Sequence, residues 1–132
     1  VNADLGGVKA IFRTLGQGHA TGLLPDQNPD DPNSGVFAPF FGIPAFTMIF
    51  ISKLASKTGA VILIGYAERL QKGRGYHLHI REANPQIASK DALLSATAMN
   101  KTIEKYIREK PEQYQWSYKR FKKRPRGMEK FY

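Results

Sequence analysis

The chain has 132 residues, no cysteine, 42% hydrophobic side chains and 20 Lys and Arg against 11 Asp and Glu. That apolar share supports a packed core and excludes a disordered tail or a fibrous segment, and the absent thiols exclude disulfides, thiolate metal sites and cysteine nucleophiles. A formal net charge of +9 points to an anionic partner.

Taken in chain order, Asp4 is placed to cap a helix running to about Leu15, with Leu5, Val8, Ile11, Phe12 and Leu15 at helical spacing and Gly16 and Gly18 closing it. Ala20 to Leu24 reads as a short buried strand. Pro25 to Gly35 is dense in Pro, Asp, Asn and Gly and reads as a loop at that strand's carboxyl end, where open α/β sheets bind ligands. Val36 to Gly42 is extended. Pro44 suits the first turn of a largely apolar helix ending at Lys57, stopped by Thr58-Gly59. The apolar run from Val36 to Ile51 is broken by Pro39, Gly42 and Pro44 and is too short in its helical part to span a bilayer.

Ala60 to Ala67 is a continuous apolar run, the pattern of a strand covered on both faces. Gln71 to Gly75 turns the chain into Tyr76 to Ala83, whose alternation predicts Tyr76, Leu78 and Ile80 inward and His77, His79 and Arg81 outward. Ser89 is placed to cap a long helix to about Glu109, with Ala92, Ala96, Met99, Ile103, Tyr106 and Ile107 as its buried stripe. Pro111 opens a second, short helix with Tyr114, Tyr118 and Phe121 on one face. The fold class is therefore α/β, with a mixed sheet flanked by helices.

Three features carry candidate chemistry. In Leu24-Pro-Asp-Gln27, the Asp26 carboxylate and the Gln27 amide can fix a substrate hydroxyl, or they can belong to an ordinary turn. His77 and Glu82 are five apart, but on a strand they face opposite sides, so the acid cannot orient that imidazole. His77 and His79 share a face and can hold a metal, yet no third ligand is evident in the sequence. Between Lys119 and Lys130, seven basic side chains against Glu129 carry +6 of the +9, interleaved with aromatics. Such a run is a solvated basic helix, a nucleic-acid surface or an anionic-membrane surface.

The blocks Leu24-Pro-Asp-Gln27, Gly35-Val-Phe-Ala-Pro-Phe-Phe-Gly42, Lys57-Thr-Gly-Ala60, Met99-Asn-Lys-Thr-Ile-Glu104, Pro111-Glu-Gln-Tyr-Gln-Trp116 and Arg120-Phe-Lys-Lys-Arg-Pro125 resemble, in order and spacing, the late acyltransferases of lipid A biosynthesis within the lysophospholipid acyltransferase superfamily. The resemblance implies part of a glycerolipid acyltransferase-like fold. It also implies transfer of a fatty acyl group from acyl carrier protein to a hydroxyl of a lipid A precursor, at the cytoplasmic face of the inner membrane and without a metal or other cofactor. The family's catalytic base is the histidine of a His-(four residues)-Asp/Glu motif upstream of the stretch resembled here. Residues 1 to 132 are accordingly expected to be the C-terminal portion of one acyltransferase domain, to contain no catalytic residue and to be inactive alone. Asp26 and Gln27 then become acceptor-binding candidates, and Arg120, Lys122 and Arg124 candidates for phosphate, carboxylate or acidic carrier protein. The expected partners are that carrier protein, the lipid A precursor and an anionic membrane surface, with no nucleic acid. The competing reading is a small basic module, not an enzyme, that binds nucleic acid or anionic lipid.

Overall fold

Two β-hairpins and three helices make up the computed structural model, which describes residues 5–132. Helix α1 is Leu5–Gly16. The expected Asp4 cap lies outside the described residues, but the C-terminal stop is as expected, with Gly18 in the left-handed region. No strand forms over Ala20 to Leu24, which continues into the Pro/Asp-rich loop.

Strands β1 (Gly35–Phe40) and β2 (Ile43–Met48) pair antiparallel. The helix expected from Pro44 therefore begins later, as α2 (Phe50–Thr58), closed by a left-handed Gly59. The cause is the two-residue turn Phe41-Gly42, where both residues have positive φ (49° and 78°), the geometry that matches strand twist in a hairpin. A left-handed Phe41 is costly by itself. It is held by its N–H, which donates to Glu104 Oε1 at 2.8 Å, and by Arg108 lying 5.0 Å over its ring. Pro39 and Pro44 oppose each other next to the turn-closing pair Phe40 and Ile43. In the antiparallel alternation that is a pair without mutual N–H···O bonds, so neither proline removes a ladder bond.

Strands β3 (Leu63–Arg69) and β4 (Tyr76–Glu82) form the second hairpin. The α/β class holds, but the strands form two separate two-stranded sheets instead of one mixed sheet. Helix α3 (Ala92–Glu109) is capped by Asp91, whose Oδ1 accepts from the N–H groups of Leu93 and Leu94; Ser89 lies two residues before that cap and accepts from the Asp91 N–H. Its apolar stripe packs on the first hairpin, where Phe40, Ala45, Ile87, Ala98, Met99, Ile103 and Ile107 form the core.

The second hairpin sits the other way round from its expected orientation. Tyr76, Leu78 and Ile80 are exposed, at 66%, 61% and 58%. His79 and Arg81 instead face α3: His79 stacks on Tyr66 at 4.5 Å, and Arg81 bonds Glu109 at 3.0 Å. Glu109 also accepts from the Tyr66 hydroxyl at 2.8 Å. These bonds, from Tyr66 first and then Arg81, hold the Glu109 carboxyl below its ordinary pKa of 4.5. A depressed carboxylate stabilises the fold above its unfolded pKa, and that contribution is lost as pH falls through the lower folded value. Protection factors of the β4 amides, corrected for intrinsic exchange, should therefore fall as pH drops below about 4.5, and Glu109→Gln should show a smaller acid step. An unchanged step would rule the pairing out as its source.

Candidate functional site

The 111–127 run does not form the expected second helix. After a single turn at Pro111–Gln113 it proceeds through turns, and it folds back onto the Pro/Asp-rich loop. Tyr114 and Phe121 nevertheless point inward, with ring centroids 6.5 and 6.1 Å from Phe40. The Tyr118 hydroxyl accepts from the Asn28 N–H at 2.7 Å. Lys123 Nζ donates to the carbonyls of Pro29 and Asp30 at 2.5 and 2.7 Å. The loop that carries Asp26 is thus clamped from the C-terminal run, 90 to 94 residues away.

Arg120 is at the centre of that clamp and is only 3% exposed. One guanidinium nitrogen donates to Asn28 Oδ1 at 2.5 Å and to the Phe46 carbonyl at 2.6 Å. The other donates to Thr47 Oγ1 at 2.8 Å and, more weakly, to Asn100 Oδ1 at 3.4 Å. Asn100 Nδ2 in turn donates to the Pro39 carbonyl at 2.9 Å. Burial lowers the Arg120 pKa, opposed by Tyr114, Tyr118 and Asp26. Arg124 is turned inward as well, donating to the carbonyls of Pro44 and Glu129 at 3.2 Å each. Arg120 and Arg124, expected to meet an anionic ligand, thus both bond to backbone and side chains of this chain, Arg120 buried and Arg124 half-buried. Lys122 stays exposed, with only the Tyr118 ring beneath it at 5.7 Å.

Beside the clamp lies an apolar groove of about 700 Å³, within the range of small-molecule sites. Ile51 and Leu54 of α2, Ile62 and Ile64 near and in β3, and Met99, Ile103 and Ile107 of α3 form its walls. Leu23 and Leu24 of the loop extend the apolar lining, while Asp26, Tyr114 and Lys110 bring polar groups to it. Gln27 is exposed and does not line it. The Tyr114 hydroxyl is buried without a hydrogen-bond partner, and burial first, then the nearby Asp26 carboxylate, raises its pKa. Asn28 Nδ2 and Arg120 Nε are likewise buried and unpaired. Of these three groups only Tyr114 lines the groove, with the Asp26 carboxylate beside it.

Asn100 and Thr47 escape a reading by residue type. The available signal was Asn100 itself, a polar side chain one turn after Ala96 on the buried stripe of α3.

An α/β chain whose apolar groove also carries a carboxylate, Asp26, and a tyrosine hydroxyl, Tyr114, has the features of a protein that handles an amphiphile, with an apolar part and a polar head. Residues 2–123 match the family described as bacterial lipid A biosynthesis acyltransferase, and the chain belongs to that family. It is 34% identical over 122 residues to the lipid A biosynthesis lauroyltransferase of Escherichia coli K12, covering 92% of this chain and 40% of that protein. It is also 34% identical over 128 residues to the lipid A biosynthesis palmitoleoyltransferase of the same organism, covering 95% and 40%. A lipid A biosynthesis acyltransferase of Haemophilus influenzae is 30% identical over 116 residues, covering 88% and 36%. The chain thus spans about two fifths of the length of these relatives. Among the described residues, no helix is long and apolar enough to cross a membrane.

Proposed function

We propose that this chain supplies the acceptor-holding part of an enzyme that transfers a fatty acyl group from acyl carrier protein to a hydroxyl of a lipid A precursor. The observation that carries the reading is the groove of about 700 Å³, with hydrocarbon walls and Asp26 and Tyr114 among its lining, in a chain of this family. The walls suit an acyl chain by removing apolar surface from water. Asp26 accepts a hydrogen bond from a sugar hydroxyl, while the Tyr114 hydroxyl meets an acceptor oxygen.

In the reaction the hydroxyl oxygen attacks the thioester carbonyl carbon, the carbon–sulfur bond breaks, and the hydroxyl proton passes through a general base to the departing thiolate. We assign that base to a histidine in a His-(four residues)-Asp/Glu motif upstream of Val1. His77 and Glu82 lie five apart on β4, so they face opposite sides of the strand. The exposed Lys119, Lys122, Arg126 and Lys130 suit an acidic carrier protein or an anionic membrane surface. Work takes place, on this reading, at the cytoplasmic face of the inner membrane.

The test compares the 132-residue chain with the same coding sequence extended upstream, each given acyl carrier protein thioester and lipid A precursor, with product read by mass spectrometry. Transfer is expected only from the extended protein, and only with its upstream histidine intact. Full activity after that histidine becomes alanine would overturn the mechanism. Tight single-stranded RNA binding with no response to precursor vesicles would instead favour a basic binding module.

A further inference from the structure

The two histidines that share a face of β4 have a third neighbour on the adjoining strand. In the β3–β4 ladder Glu68 stands opposite His77, and Tyr66 opposite His79, which places Glu68, His77 and His79 on one face. One ligand atom from each of the three lies within 4.8 Å of the other two. His79 Nε2 is 3.0 Å from Glu68 Oε2, and the two imidazole centroids are 4.2 Å apart. Ligands 2.0–2.2 Å from a tetrahedral zinc ion sit about 3.3 Å from one another. Reaching that arrangement takes a small widening of the His79–Glu68 pair and a rotation of the exposed His77 ring.

We propose that Glu68, His77 and His79 form a binding site for a divalent transition-metal cation of the zinc type. Two of the three ligands are already positioned. The His79 ring lies flat on Tyr66, with centroids 4.5 Å apart and planes 9° from parallel. Glu68 is held through its other oxygen, Oε1, by Lys110 Nζ at 2.8 Å, leaving Oε2 directed at the histidines. This is the outer-partner arrangement that orients metal-binding carboxylates. Two imidazoles and one carboxylate select Zn²⁺, Ni²⁺ or Cu²⁺ over Mg²⁺ and Ca²⁺, which require mostly oxygen ligands. Water completes the coordination on the exposed side. A cation bound here joins both strands of a hairpin, and an isolated two-stranded hairpin is marginal in water. Binding to the folded state alone then raises the unfolding temperature. This site is independent of the acyl-transfer reading.

Calorimetric titration of tag-free protein with ZnCl₂ tests the proposal, with thermal unfolding as a second readout. One equivalent is expected to bind and to raise the unfolding midpoint. His77→Ala and Glu68→Gln should each weaken binding by about tenfold or more, and His77→Ala combined with His79→Ala should abolish it. His19→Ala, which removes the remaining histidine, should change neither readout, and MgCl₂ should give no saturable heat. Absence of saturable zinc binding, or equal affinity and equal thermal shift in the double variant, would refute the site.

Discussion

Replacing Arg120 with methionine should lower the midpoint of thermal unfolding by roughly 10–20 °C, which follows from a loss of about 3–5 kcal/mol in a domain of this size. Methionine has comparable reach and no donors. It leaves Asn28 Oδ1 and the Phe46 carbonyl facing an apolar side chain, where the guanidinium now meets them at 2.5 and 2.6 Å, while Thr47 Oγ1 keeps its bond from Asn100 Nδ2 at 3.0 Å. Each unmet buried acceptor costs about 1–3 kcal/mol. The relief of no longer burying a cation offsets part of that sum, because no carboxylate lies within ion-pair distance of Arg120 among the described residues. Arg120→Lys should fall between the two, since one ammonium cannot match a planar fork that reaches four acceptors. Circular dichroism melts decide the matter, and a methionine variant within about 2 °C of the parent would show that the fork is not what ties the run to the core.

That buried fork explains why the most conspicuous part of the sequence was legible only in outline. A run of seven basic residues on composition alone is an outward field, and Lys122 and Arg126 remain on the surface. Arg120 is turned inward by Asn28, 92 residues earlier, and no local pattern encodes a partner at that separation. The same limit governs β2. Pro44 is compatible with either a helix's first turn or a strand position that donates no ladder bond, and the choice is made by the Phe41-Gly42 turn, anchored through Glu104 of α3. For β4 the alternation gave two faces correctly but not which one meets the protein. Glu109 and Lys110 at the end of α3 decide that by pairing with Arg81 and Glu68. Elements whose signals are local came through: α1, the Gly59 stop of α2, the β3–β4 turn and the stripe of α3. So did the position of Asp26 on a loop beside a pocket, though the strand expected to deliver it is absent. The third member of the Glu68, His77 and His79 group was hidden because register, not spacing, brings it there.

On the proposed reaction, Asp26→Asn in the extended enzyme should reduce kcat/KM for the lipid A precursor by about 100-fold, the scale of losing one charged, positioned hydrogen bond at a reacting group. Asparagine keeps the size and one carbonyl oxygen but removes the negative charge, so a sugar hydroxyl loses a charge-assisted acceptor. The loop itself should stay in place, because its clamp is made by Asn28, Pro29 and Asp30 with Tyr118, Arg120 and Lys123. Asp26 takes no part in that clamp, so the cost in stability should not exceed about 1 kcal/mol. Transfer assays read the catalytic loss, and thermal melts read whether the fold is kept. A normal kcat/KM in a variant that melts with the parent would remove Asp26 from the acceptor site. A 100-fold loss in a variant that still melts within a few degrees of the parent assigns the loss to the missing carboxylate and not to a displaced loop.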